Sequence, residues 1–207
     1  LVASTYIGSF ARDFCFFLYP DPRGRIAVLG QTNGNMAYDQ PVVFGDSTSR
    51  QFLQLFSPDL KKLLRSTRIG SLRNSYDFSP SAFLIDSCGV TYMSGWGGSL
   101  NPGNGSVANL YVSPDAYQST TDGEDFYLLA LDASWKKPLY ATYFGGDGPR
   151  EHVDGGTSRF SPDGIISQAV CAGCGGFDLT PAFPSTVWST TNNSSNCNML
   201  GFKIEFQ

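Results

Sequence analysis

Three short markers recur in the same order along the 207 residues, and they restrict the fold more than any other feature of the chain. The first marker reads Ser4-Thr5-Tyr6-Ile7-Gly8, then Ser66-Thr67-Arg68-Ile69-Gly70, then Ala141-Thr142-Tyr143-Phe144-Gly145, with final glycines 62 and 75 residues apart. The second is a turn before an apolar run: Asp21-Pro22-Arg23-Gly24 before Arg25 to Gly30, Asp86-Ser87-Cys88-Gly89 before Val90 to Gly95, and Ser161-Pro162-Asp163-Gly164 before Ile165 to Val170. The third is Phe52 to Phe56 followed by Ser57-Pro58-Asp59, matched by Tyr127 to Leu131 followed by Asp132-Ala133-Ser134. Its last copy begins at Leu200-Gly201-Phe202-Lys203-Ile204. Ordered self-similarity of this kind marks one supersecondary unit repeated along the chain.

Each unit reads as four short strands. The Thr-x-Ile-Gly segment is a strand ended by glycine, and a second apolar run follows at Phe14 to Leu18 and at Ala82 to Ile85. The turn after it uses glycine, which accepts positive φ, and in two copies proline, which presets φ. A third strand, a variable loop and a fourth strand complete the unit. The turn between the second and third strands is short enough for a hairpin, so the strands are expected to be antiparallel. The one hint of helical periodicity, Asp59 to Arg65, falls where the repeat places strand, turn and strand. The expected fold is therefore all-β: a β-propeller of tandem four-stranded antiparallel blades, with repeats at about 1–64, 65–139 and 140–207, the last truncated. A β-sandwich is the alternative, although it does not require the markers to recur in order. Propellers typically have four to eight blades, so three blades predict a segment of a longer polypeptide.

Composition agrees with short strands and frequent turns. Charged residues are only 15% and aromatics reach 14%, with 23 glycines and 12 prolines. The net charge of −4, without any basic cluster, argues against nucleic-acid partners and anionic membranes. No apolar run approaches the ~20 residues of a membrane span.

The markers, together with Pro114-Asp115-Ala116-Tyr117-Gln118-Ser119-Thr120 and Asp125 to Asp132, resemble the bacterial beta-propeller repeat of large secreted surface proteins. The third unit is more specific. His152 to Phe160, Cys171-Ala172-Gly173-Cys174-Gly175-Gly176 and Asn192 to Asn198 are similar to a block in long cell-surface proteins of gliding Bacteroidetes, which often carry PKD-type domains and a C-terminal sorting domain. Two features depart from the pattern: Arg68 replaces the usual aromatic, and Phe10-Ala11-Arg12 interrupts a glycine-rich turn. The resemblance implies an extracellular location, export by the type IX route, and a role in surface architecture, adhesion or gliding-associated interactions. Its implied partners are other domains of the same polypeptide, surface proteins or glycans. It supplies no catalytic residue.

Five cysteines are present, three of them in the last 37 residues. Cys171, Cys174 and Cys197 are candidates for a disulfide, the expected fate of such thiols in an exported protein. Cys174–Cys197 or Cys171–Cys197 would tie a long loop to the preceding strand, while Cys171–Cys174 would need a constrained turn. The same three sulfurs with His152, the single histidine, form a candidate tetrahedral zinc set. Cys15 and Cys88 are expected as buried apolar thiols. Asp154-Gly155-Gly156-Thr157-Ser158 can offer oxygens to a structural calcium through Asp154, or form a turn whose Asp accepts backbone N–H bonds. The acidic turns Thr121 to Asp125 and Gly145 to Pro149 admit the same two readings, and none has the spacing of an EF-hand loop. No cofactor or metal is expected, and Asp154 is kept only as a candidate for such a calcium. No Gly-x-Ser-x-Gly elbow is present, and Trp96, Trp135 and Trp188 are expected in the core between blades.

Three functions compete: a non-enzymatic surface scaffold or adhesion module recognising partners through loops such as Gly97 to Val112, a polysaccharide-active or glycan-binding propeller with a carboxylate-lined channel, and a structural subunit of a larger surface assembly. The first is expected.

Overall fold

The computed structural model describes residues 2–36, 38, 47–101, 105–148, 150–154, 158–177 and 187–206. They form twelve strands and, among the described residues, no helix. The first sheet is β1 (Asp13–Pro20), β2 (Ile26–Thr32), β3 (Gln51–Phe56) and β4 (Leu63–Ile69), in the spatial order β1-β2-β3-β4. The second is β5 (Ser79–Ile85), β6 (Thr91–Trp96), β7 (Phe126–Leu131) and β8 (Pro138–Phe144), ordered in the same way. The third contains β9 (Arg150–His152), β10 (Ser158–Phe160), β11 (Ile165–Cys174) and β12 (Asn198–Glu205). There β9 and β10 share one edge of β11, and β12 takes the other. All neighbouring strands are antiparallel.

The repeated turns have a common cause. Asp21 Oδ1 accepts the N–H groups of Arg23 and Arg25 at 2.9 and 2.8 Å, and Asp86 Oδ1 accepts those of Cys88 and Val90 at 2.9 and 2.8 Å. Gly24 and Gly89 follow at φ of 72° and 86°, which a side chain would disfavour. The aspartate thus satisfies turn amides that no ladder reaches. The Ser57–Lys62 and Asp132–Lys137 turns also share their backbone hydrogen bonds, and each holds a non-glycine residue at positive φ, Leu60 and Trp135. Trp135 is fixed there by burial and by its indole N–H, which donates to Thr91 Oγ1 at 2.8 Å.

Sheets stack because strand side chains alternate between faces. From β7, Tyr127, Leu129 and Leu131 pack with Leu29, Leu53 and Leu55 of the first sheet. The intervening Phe126 and Leu128 pack with Ile166, Val170 and Phe202 of the third. All six residues of β7 are buried, so the middle sheet is covered on both faces. At one end of the stack β5 lies against both β1 and β10.

The Thr-x-Ile-Gly strand opens each sequence repeat but closes the preceding sheet: β4 carries Ser66 to Ile69 and pairs with β3, and β8 carries Ala141 to Phe144 and pairs with β7. Sheets and sequence repeats therefore run one strand out of phase. The first copy, Ser4 to Gly8, is in no strand. Arg68, in place of an aromatic, is buried in β4 and donates to the carbonyls of Ser47 and Met36, both at 2.7 Å. Its positional counterpart Tyr143 donates to Leu110 O at 2.9 Å, so each side chain ties a sheet to the loop above it.

Candidate functional site

The cysteine–histidine cluster is assembled by an irregular ladder. β9 pairs with β11 through Cys171↔His152 and Cys174↔Arg150, with a register shift between the two pairs. Between these pairs two residues on β11, Ala172 and Gly173, therefore oppose one on β9, Glu151, and Gly173 takes up the distortion at φ 65°. A bulge of this kind re-aims a side chain. Here it leaves Cys174 Sγ 3.9 Å from His152 Nδ1. On the other side of the ring, His152 Nε2 lies 3.1 Å from Asp154 Oδ1. The imidazole is buried and rests near the Trp96 ring, with centroids 5.8 Å apart.

Cys174 and Cys197 form a disulfide across 23 residues of sequence, at the base of the β11–β12 connection. Closing a loop of that length stabilises a fold by about 3 kcal/mol, chiefly by constraining the unfolded chain. Cys171 is a free thiol, and burial, reinforced by the neighbouring Asp154 carboxylate, pushes its pKa up. Ligand atoms of His152, Cys171 and Cys174 all lie within 4.8 Å of one another, so three members of the candidate zinc set converge. In the disulfide-bonded form, however, two of its three sulfurs are spent on each other. Only Cys171 can then become a thiolate, one sulfur with one imidazole, short of the four ligands a structural zinc requires. Asp154 spends its carboxylate on His152 and Cys171. Gly155, Gly156 and Thr157 of its candidate calcium turn lie outside the described residues, as does Pro149 of the other.

A second polar cluster lies where β7 begins, β8 ends and β9 begins. Asp125 and Glu151 are buried, at 0% and 1% exposure. Asp125 Oδ2 accepts from Gln118 Nε2 at 3.2 Å, and Glu151 Oε1 from the Gly146 N–H at 3.4 Å. Burial, with Asp122 and Asp147 nearby, pushes Asp125 up to about 7. Burial and the Asp125 charge push Glu151 up to about 9. The sequence singled out the two turns here but missed Glu151. Its only signal there was a carboxylate shortly after the marker glycine Gly145.

Other sequence-based expectations meet a mixed outcome. Trp135 is buried and Trp96 packs against the second core cluster, but Trp188 is fully exposed. Cys15 and Cys88 are exposed and not buried: Cys88 sits in the β5–β6 turn, and Cys15 on β1, whose outward face has no sheet against it among the described residues. The Gly97 to Val112 loop sends Val107 and Leu110 into the core, so part of it anchors rather than displays. No protein-family model, curated protein or solved structure matches this chain.

Proposed function

We propose that the chain is a non-catalytic, propeller-type repeat scaffold within a larger exported surface polypeptide, serving cell-surface architecture and adhesion. The observation that carries this reading is the middle sheet, buried on both faces by antiparallel sheets, the first of which is ordered as it is. A repeat that cannot bury its faces alone is an element of an array. The adjacency of β1, β5 and β10 supports a radial arrangement, with the first strands innermost. The Cys174–Cys197 bond supports export, since such bonds persist in oxidising compartments.

A catalytic reading would draw on Asp125 and Glu151. Against it, both carboxyls are buried, at 0% and 1% exposure, around the backbone of Gly145. Electron microscopy of the full-length polypeptide should show closed rings of radial sheets, and glycan arrays or pull-downs should yield a binding partner. Silence in both binding assays, together with polysaccharide hydrolysis abolished by one Asp or Glu substitution, would overturn the scaffold reading. The export component has its own check. Alkylation of the denatured, unreduced native protein should label Cys15, Cys88 and Cys171 only, and labelling of all five cysteines would reject it.

A further inference from the structure

The acidic junction holds more negative charge than its protein partners can balance. Asp125 Oδ1 and Glu151 Oε2 are buried and, among the described residues, have no hydrogen-bond partner. Neither carboxyl belongs to an ion pair among those residues. Arg150, adjacent in sequence, is turned to Glu124 Oε2 at 3.2 Å. An unpaired polar atom is costly to bury and an unpaired charge far more so, unless a proton or a cation compensates it.

The two orphan oxygens also converge. A Cβ on Gly145 would lie 1.9 Å from Asp125 Oδ1 and 2.9 Å from Glu151 Oε2, so both crowd the one residue that leaves room for them. Asp125 opens onto a pocket of about 380 Å³ lined also by Gln118, Asp122, Gly146 and Asp147. Asp122 is held in place by two amides, accepting from Glu124 N at 2.9 Å and Gly148 N at 2.8 Å, and so shapes the turn that carries Asp147.

We propose that Asp125 Oδ1 and Glu151 Oε2 are ligands of a calcium ion that fastens the second sheet to the third. The donor set is all oxygen and rich in carboxylate, which selects a hard cation. Calcium accepts six to eight oxygens in irregular geometry, whereas magnesium demands a near-ideal octahedron. Water entering from the pocket completes the shell. The ion joins the start of β7 to the start of β9, and so bridges two sheets that otherwise meet only through apolar packing and scattered polar contacts.

Calcium titration of the whole, chelator-treated chain, followed by calorimetry and by terbium luminescence, tests the assignment. One site is expected, with a rise in melting temperature on filling. Asp125→Asn and Glu151→Gln should each weaken calcium binding by at least about tenfold, since loss of even an outer-shell partner of a metal ligand costs that much. Each should leave the metal-free melting temperature unchanged or raise it, because an amide needs no counter-ion. Asp154→Asn, at the other candidate turn, should leave the calcium affinity intact. Absence of calcium uptake by the wild-type chain up to millimolar concentration would overturn the proposal and indicate a protonated carboxyl pair. Unchanged binding in folded Asp125→Asn and Glu151→Gln variants, or its loss in Asp154→Asn alone, would overturn it equally. If those two variants do not fold, the wild-type titration and the Asp154→Asn result decide.

Discussion

Two junctions link the three sheets, and they bury carboxyl groups in different company. Between the first and second sheets Asp77 stands alone. The Ser71 hydroxyl and amide both donate to its carboxyl, and its own N–H reaches Gln51 Oε1 at 3.4 Å. Between the second and third sheets Asp125 and Glu151 stand together, and the position equivalent to Ser71 is Gly146, which offers an amide and no hydroxyl. Both sites are built around the marker glycine, Gly70 in one and Gly145 in the other. Burial raises Asp77 only to about 6, held back by the Ser71 donors and by Arg73, against about 7 and about 9 for the pair. One repeated backbone can thus carry a self-sufficient carboxyl or an uncompensated pair, and the neighbour after the glycine decides how much is compensated.

The largest expected effect separates the two glycines. At Gly145 an added methyl would overlap a buried carboxylate held on two sides, and Gly145→Ala should cost about 3 kcal/mol, as overpacking of a tight site does. At Gly70 the nearest atoms, Ser49 Oγ at 2.7 Å and Asp77 Oδ2 and Ser49 Cβ at 2.8 Å, stand farther off than the 1.9 Å of Asp125 Oδ1 at Gly145. Gly70→Ala should therefore cost nearer 1 kcal/mol. Urea denaturation of the two variants measures the difference, and equal costs would break the contrast.

Next comes pH. The folded-state pKa of Asp77 lies above its ordinary value of 3.8, so folding disfavours its ionisation. Its contribution is most favourable at acid pH and declines as pH rises from about 4 to about 6, a loss on the order of 3 kcal/mol. Asp77→Asn should be more stable than the wild type above pH 6 by up to that amount, and the advantage should vanish near pH 4. A constant difference across this range, read from urea midpoints in chelator, would show that the Ser71 donors already compensate the charge.

The smallest effect sharpens the role of Ser71. Ser71→Ala removes one of two donors to Asp77 and should cost about 1 kcal/mol at neutral pH, where the carboxyl is ionised. The cost should shrink on acidification, as thermal melts at two pH values would show. An effect independent of pH would mean that the hydroxyl serves packing alone.

The contrast between junctions was only partly legible in the residues. Strands and turns were, because hairpin chemistry is local: an aspartate and a glycine at fixed offsets determine the turn at Asp21 and again at Asp86. The phase of the sheets was not. Nothing in Ser66 to Gly70 says whether it pairs with the strand before it or the one after it, since edge pairing is a long-range choice. The convergence of Cys171, Cys174, Cys197 and His152 was foreseen as one of several arrangements, and the β9–β11 register made it specific. Glu151 escaped notice because it meets Asp125 across 26 residues and only through the end of β8. Cys15 was misplaced because a free thiol was read as a small buried apolar group, whereas the outer face of β1 is open among the described residues.

The borrowed strand has a mechanical consequence. The chain enters the first two sheets at one edge, β1 or β5, and leaves from the opposite edge, β4 or β8. Tension along the polypeptide is therefore passed sideways through every ladder of a sheet before it reaches the next. Because the strand that a sequence repeat contributes first is sewn into the previous sheet, a pull at any repeat boundary loads hydrogen bonds rather than a slack linker. Such a chain resists extension in steps of one sheet, each behaving as a seam that must be unpicked before the next comes under load.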